Sequence, residues 1–181
     1  TLHGYFDDKI TDEIIASKGR ADIVTAFNVF AHADDLKSIA QNVFKVLKDS
    51  GIFIIEVQYL LDTIKDLTFD NIYHEHVNYW SVHTLQFFFH SLDLQLVKVE
   101  HVNTHGGSIR AFISAKKEAE TDSSVEDFIA REKQFGLDDF STLKQFASSV
   151  SDLKNTTKNK IKELKSQGKS IVGYGSPAKA T

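Results

Sequence analysis

The chain of 181 residues contains no cysteine and no methionine, and it has one proline and one tryptophan. Without cysteine it can form neither a disulfide nor a thiolate metal site, which is compatible with a reducing cytoplasm. No apolar run approaches the roughly 18 to 20 residues that a membrane helix needs, and the start lacks the residue pattern of a signal peptide. We therefore expect a soluble, cytoplasmic protein with no membrane partner. The missing initiator methionine indicates a fragment of a longer chain.

The charge balance gives no sign of a nucleic-acid partner, because the formal net charge is -4. Hydrophobic residues make up 41% of the chain, which is enough for one sizeable core and the start of a second. Lysines crowd the outer face of a helix that we predict near the C-terminus. A solvated surface is the simpler interpretation of that face, and guidance of an anionic substrate is the alternative.

The first half of the chain predicts a strand, a helix and a second strand. Residues 21–30 form a continuous β-branched and aromatic run, as expected of a strand buried on both faces of a parallel sheet. Apolar residues between Leu36 and Leu47 recur with a period near 3.6, which predicts an amphipathic helix. The apolar run 52–57 completes the unit as a parallel strand.

Shorter elements are predicted on both sides of this unit. Upstream, residues 2–6 are predicted as the tail of a strand, and Thr11 as the N-cap of a short helix that ends at Gly19. Downstream, Ser81 is predicted to cap a helix whose apolar residues face the core. These inward residues are Leu85, Phe88, Phe89 and Leu92.

Two further strands, at 94–102 and 109–115, are joined by the short glycine-containing loop 104–108. Such a connection predicts an antiparallel hairpin. A parallel sheet that ends in an antiparallel hairpin is typical of the C-terminal half of a class I, Rossmann-like methyltransferase sheet, although other mixed α/β folds share the pattern. We therefore predict an α/β fold of this type.

The composition changes near Lys116, so we divide the chain into residues 1–116 and 117–181. The first part is predicted as a partial methyltransferase domain. The second is predicted to contain two helices and the beginning of a C-terminal α/β domain. That beginning is a strand at 170–174 that runs into the glycine-rich turn 173–179, a geometry that presents backbone N–H groups to a phosphate.

The segment from Asp70 to Ser81 concentrates groups that transfer protons or bind polar substrates. It contains two histidines, a glutamate, two tyrosines and a tryptophan. Histidine suits the role of a general base because its unperturbed pKa is about 6.5. His32 directly follows the first predicted strand, at the carboxyl edge where open α/β sheets place their ligands. We therefore expect the active site here.

Two other interpretations of this segment stay open. In a strand, His74 and His76 would point to one face and could bind a metal together with His32, as in a metal-dependent hydrolase. In a helix the same two side chains would point nearly apart. The other interpretation is a non-catalytic one, in which the chain is a folded fragment or a binding module.

Four motifs together resemble those of the S-adenosylmethionine-dependent sugar C-methyltransferases, in the same order and at similar spacing. They are residues 28–35, 73–76, 104–110 and 173–179. The resemblance implies that the chain runs from about the third strand of the methyltransferase sheet to the start of the C-terminal domain. A zinc-binding domain and the acidic glycine-rich loop of the cofactor site would precede it. The chain alone is therefore expected to be inactive.

The resemblance also implies a reaction. A proton is removed next to the keto group of a nucleotide-linked 4-keto-deoxysugar, and the resulting carbanion takes the methyl group of S-adenosylmethionine. In this scheme His76 matches the proposed base and His32 a second active-site histidine. Tyr73 is expected to donate a hydrogen bond to the enolate oxygen, and Glu75 to hold a sugar hydroxyl or orient an imidazole.

Binding residues follow from the same resemblance. Asn28 is expected at the cofactor, and Phe6 close to its adenine ring. The nucleotide-sugar substrate is expected to contact Tyr79, His105, Gly106, Gly107, Ser108 and Arg110. Arg110 is available to pair with a phosphate. A hairpin turn alone would also explain the glycines.

Overall fold

The computed structural model describes residues 1–116 and 119–175. At its centre is a sheet of four strands in the order β1-β2-β4-β3. The strands are β1 (Ala21–Phe27), β2 (Leu47–Gln58), β3 (Gln95–Val102) and β4 (Ser108–Ser114). β1 runs parallel to β2, and β4 is antiparallel to both β2 and β3. The carboxyl ends of β1, β2 and β3 therefore lie at one edge of the sheet.

This sheet confirms the predicted fold class. The strand–helix–strand unit forms with α2 (Leu36–Val46) between β1 and β2, and β3 and β4 form the predicted antiparallel hairpin. The second strand of the hairpin pairs with β2, from Ile52 opposite Ser114 to Gln58 opposite Ser108. The hairpin is therefore folded back into the sheet, with β4 inside and β3 outside.

The first predicted strand is shorter and less buried than expected. β1 ends at Phe27, and the chain then forms a 3-10 turn, Phe30–His32. Ile23 and Phe27 are 59% and 45% exposed, so the prediction of burial on both faces is wrong. In the part of the chain that the structure describes, β1 is an edge strand whose one neighbour is β2.

The helices lie mostly where the apolar periodicity places them. Besides α2, they are α1 (Asp8–Lys18), α3 (Leu60–Lys65), α4 (Val82–His90), α5 (Ser123–Phe135) and α6 (Phe140–Ser166), with a second 3-10 turn at Phe69–Asn71. The predicted cap of α4 is confirmed, because the Ser81 hydroxyl oxygen accepts the Thr84 N–H at 3.1 Å. None of the described helices is long and apolar enough to cross a membrane.

The N-terminal residues depart from the prediction. Residues 2–6 form no strand, because no described strand pairs with them. Asp7, not Thr11, caps α1, and its side chain accepts the Ile10 N–H at 3.0 Å. Thr11 lies inside the helix with no exposed surface. The predicted end at Gly19 is confirmed.

An aromatic cluster fills the core between the sheet and α4. The Phe30 ring lies 5.9 Å from those of Phe53 and Trp80 and 6.0 Å from those of Phe88 and Phe89, measured between centroids. Aromatic pairs at such distances add about 0.5–1.5 kcal/mol each beyond their burial. Because Phe30 begins the 3-10 turn that ends at His32, this packing also fixes the start of the candidate site.

The C-terminal part contains the two predicted helices but not the predicted strand. α5 packs on the core through Val125 and Phe128, whereas α6 has no buried residue. Residues 170–174 form no strand and are exposed, because no described strand supplies the hydrogen bonds they would need. Of the glycine-rich turn 173–179, positions 176–179 lie outside the described residues.

Candidate active site

The candidate site lies at the carboxyl edge of the sheet, where two segments distant in sequence meet. One is the 3-10 turn after β1, which carries His32. The other is the irregular segment between α3 and α4, which carries Tyr73 and His76. Asn78 joins them, because its N–H donates to the Ala31 carbonyl at 3.2 Å and its side-chain amide to the Ala33 carbonyl at 2.9 Å.

The two expected histidines, His32 and His76, lie together with their ring centroids 4.8 Å apart. The His32 Nδ1 atom is 2.8 Å from the Glu75 carbonyl oxygen, and the His76 Nδ1 atom is 2.7 Å from the Asn71 carbonyl oxygen. A carbonyl oxygen can only accept a hydrogen bond, so each Nδ1 carries the proton. In the neutral rings, Nε2 is therefore the basic nitrogen.

Tyr73 and Glu75 lie beside His76. The Tyr73 ring is 4.6 Å from the His76 ring, between centroids, and its hydroxyl donates to Glu75 Oε2 at 3.2 Å. Tyr79 lies farther away, with its ring centroid 6.5 Å from that of His76. Burial raises the pKa of the Tyr79 hydroxyl, and a hydrogen bond with the Tyr73 backbone opposes the shift. An imidazole and a phenol hydroxyl, two groups able to transfer or donate a proton, therefore lie in one site.

The geometry does not favour the metal-binding alternative. Residues 73–76 form a turn and not a strand, so the alternation that would align His74 with His76 is absent. His74 points to solvent, with 72% of its side chain exposed, and its Nε2 lies 4.0 Å from Glu75. Among the described residues, no group of three or more His, Asp or Glu side chains is arranged to hold a metal ion.

The end of β1 has an unusual backbone. Asn28 adopts a φ of 54°, a left-handed conformation that is uncommon outside glycine and often marks a functional site. Its N–H donates to the Glu56 carbonyl at 2.9 Å. The neighbouring Phe27 and Val29 are exposed apolar residues. Phe6, the other residue expected at the cofactor, is partly buried and packs against the core.

The glycine-containing loop of the hairpin packs against its neighbours. His105, Gly106 and Gly107 all have positive φ, which explains the two glycines as turn residues. A side chain on Gly107 would overlap the Asp62 carboxylate. Ser108 is fully buried, and its hydroxyl donates to the Thr104 carbonyl at 3.1 Å.

Arg110, expected at a phosphate, has a protein partner. Its Nη2 donates to Glu56 Oε2 at 2.8 Å, and its guanidinium lies 5.2 Å from the Phe27 ring centroid. Thr104 donates to the other carboxylate oxygen of Glu56 at 3.1 Å. Glu56 is buried, so this pairing supplies the charge that a buried carboxylate needs.

Sequence reasoning missed a second cluster at the same edge. His101 Nε2 and Asp62 Oδ2 are 2.6 Å apart. They line a cavity of about 550 Å³ together with Tyr59, Lys65 and Arg131. Asp62 lies in α3 and His101 near the end of β3, and only the register of the hairpin brings them together. Their separation in sequence gives no local signal.

Glu132 was also missed. It lies in α5, is 4% exposed, and accepts the N–H groups of Val82 and His83 at 2.6 and 3.1 Å. The carboxylate therefore binds the N-terminus of α4, where negative charge is favourable. Burial, followed by the charge of Glu132, raises the pKa of the nearby Tyr59 hydroxyl far above its ordinary value.

Comparison with known proteins identifies the family. Residues 3–99 match a model described as a methyltransferase domain, and residues 103–181 match a model described as a C-methyltransferase C-terminal domain. The chain belongs to the methyltransferase family, and its second part matches the C-terminal domain of C-methyltransferases. The sequence-based recognition of that family is thereby confirmed.

This methyltransferase chain is also similar to individual proteins. It is 31% identical, over 182 aligned residues, to the C-methyltransferase NovU of Streptomyces niveus, and the alignment covers the whole chain but 43% of that protein. The chain thus spans less than half the length of this relative. A solved S-adenosylmethionine-dependent methyltransferase from Anabaena variabilis gives a TM-score of 0.45 at 12% identity, over 64% of this chain and 58% of the other. The fold assignment rests on the family matches and the strand order.

Proposed function

We propose that the protein transfers a methyl group from S-adenosylmethionine to a carbon of a nucleotide-linked 4-keto-deoxysugar, with His76 as the base. The observation that carries this proposal is the hydrogen bond between His76 Nδ1 and the Asn71 carbonyl at 2.7 Å. It places the lone pair of the neutral ring on Nε2, the nitrogen that accepts the substrate proton.

An α-proton of a ketone becomes removable only when the enolate oxygen is stabilised as charge develops on it. Tyr73 is the donor we assign to this oxygen, because its ring lies against that of His76 and its hydroxyl carries a proton. Glu75 accepts the Tyr73 hydroxyl in the structure, so it holds the phenol until a substrate oxygen competes for its proton. His32 packs on His76 and fixes one side of the base.

The residues present fit one wall of a cofactor site. The left-handed Asn28 and the exposed Phe27 and Val29 lie at the end of β1, at the carboxyl edge, where open α/β sheets bind their ligands. Bound S-adenosylmethionine would supply the methyl group as an electrophile. We assign Asn28 to hold it, with Phe6 near the adenine as a further prediction. Tyr79 and the loop 105–108 remain our candidates for substrate contacts.

Proton abstraction can be tested separately from methyl transfer. The full-length protein is incubated in D₂O with a 4-keto nucleotide sugar, without S-adenosylmethionine, and deuterium incorporation next to the keto group is followed by NMR. The substitution His76→Asn should lower the rate of this deuterium exchange, and the kcat of methyl transfer, by about 100-fold or more, as expected for loss of a general base.

His74→Asn is the matched control, because His74 belongs to the same motif but is mainly exposed. We expect the His74→Asn variant to catalyse deuterium exchange at a rate close to that of the unmodified protein. Activity of the His76→Asn variant within a few-fold of the parent would remove His76 as the base. A protein that methylates no 4-keto nucleotide sugar would instead refute the substrate class.

A further inference from the structure

We propose that Asn71 is a positioning residue for His76, and that the hairpin turn 104–107 holds Asn71 in place. The inference deepens the proposed function, because it concerns how the base is held. Two hydrogen bonds of Asn71 carry the inference: its carbonyl oxygen accepts His76 Nδ1–H at 2.7 Å, and its side-chain amide donates to the His105 carbonyl at 3.4 Å.

The first hydrogen bond determines which nitrogen of His76 can act as a base. A neutral imidazole without a fixed partner exchanges between two tautomers, and in one of them Nε2 carries the proton. The Asn71 carbonyl excludes that form, because it can only accept a hydrogen bond from Nδ1. The same hydrogen bond fixes the plane of the imidazole ring, so the Nε2 lone pair points in one direction.

The second hydrogen bond determines where the Asn71 carbonyl lies. Asn71 ends the 3-10 turn Phe69–Asn71, its N–H donates to the Thr68 carbonyl at 3.1 Å, and it is 7% exposed. Its side chain is therefore enclosed and reaches the hairpin turn at His105. Loss of the contact between the Asn71 side chain and His105 can therefore shift the Asn71 carbonyl.

The hairpin turn is held rigidly enough to serve as the support. Tyr59 N–H donates to the Gly107 carbonyl at 3.1 Å, and the Asp62 carboxylate occupies the space where a side chain of residue 107 would lie. A Cβ on Gly106 would come within 3.4 Å of Thr68 and 3.8 Å of the Asn71 amide nitrogen. The turn therefore packs closely against α3 at Gly107 and lies next to the segment that carries Asn71 at Gly106.

The test combines kinetics with NMR on the full-length protein. In protein labelled with [¹⁵N]histidine, the His76 ring should show Nδ1 protonated and Nε2 unprotonated at a pH where it is neutral. Asn71→Ala should give mixed tautomers, lower kcat about 10- to 100-fold through misplacement of the base, and leave KM nearly unchanged. Asn103→Ala, an exposed asparagine of the same hairpin, is the matched control and should change neither quantity.

Asn71→Ser is a second variant in case the alanine variant folds poorly. Its shorter side chain loses the His105 contact but suits a turn, so the same tautomer mixture is expected. If Asn71→Ala or Asn71→Ser keeps the parent's tautomer and kcat, the positioning role is overturned. The NMR result decides this role even if His76→Asn remains fully active, an outcome that would refute only the role of His76 as the base.

Discussion

The packing of the hairpin turn can be tested at Gly107. Gly107 has a φ of 112°, and a Cβ there would overlap the Asp62 carboxylate. The unfavourable φ costs an alanine about 1–2 kcal/mol, and the steric overlap adds about 1–3 kcal/mol. We therefore expect Gly107→Ala to lower the free energy of unfolding by roughly 2–5 kcal/mol, measured by urea denaturation.

A double-mutant cycle separates the two costs. In an Asp62→Gly background the three Asp62 side-chain atoms nearest to that Cβ position are absent. Gly107→Ala should then cost only about 1–2 kcal/mol, and the coupling between the sites should be about 1–3 kcal/mol. Gly19→Ala is the matched control, because Gly19 has a φ of 77° and no atom lies within 4 Å of its Cβ position. Equal costs of Gly107→Ala in both backgrounds would refute the proximity of Asp62 to the turn.

Two further predictions concern Glu132 and the nearby Tyr59. Glu132→Ala leaves the N–H groups of Val82 and His83 without their acceptor, so it should lower the free energy of unfolding by about 1–3 kcal/mol in urea titrations. Glu126→Ala, at an exposed position of the same helix, should be nearly neutral, and equal effects would refute the capping role. Because the pKa of Tyr59 is raised in the folded protein, the unfolded chain ionises first as the pH rises above about 10, and stability should fall there. Tyr59→Phe should make that fall shallower, and an unchanged slope between pH 10 and 12 would contradict the shift.

Local sequence patterns determined most of the secondary structure. The period of 3.6 predicted α2, Ser81 predicted the start of α4, and the glycine-containing loop predicted the hairpin of β3 and β4. These signals depend on residues a few positions apart, which is why they can be read without a fold. The same reasoning named Thr11 as the cap of α1, where the structure has Asp7, and both residue types suit that position.

The candidate site was predicted only in part. The sequence by itself placed histidines and tyrosines at the carboxyl edge, through their positions after predicted strands. The hydrogen bond of His32 to the carbonyl of Glu75, 43 residues away, could not be predicted, because backbone carbonyls carry no sequence signature. Tertiary packing alone decided the tautomers of both histidines, the pairing of Arg110 with Glu56 and the contact of Asn71 with the hairpin. Side-chain periodicity is a local property, whereas hydrogen-bond partners are selected by the surfaces that folding brings together.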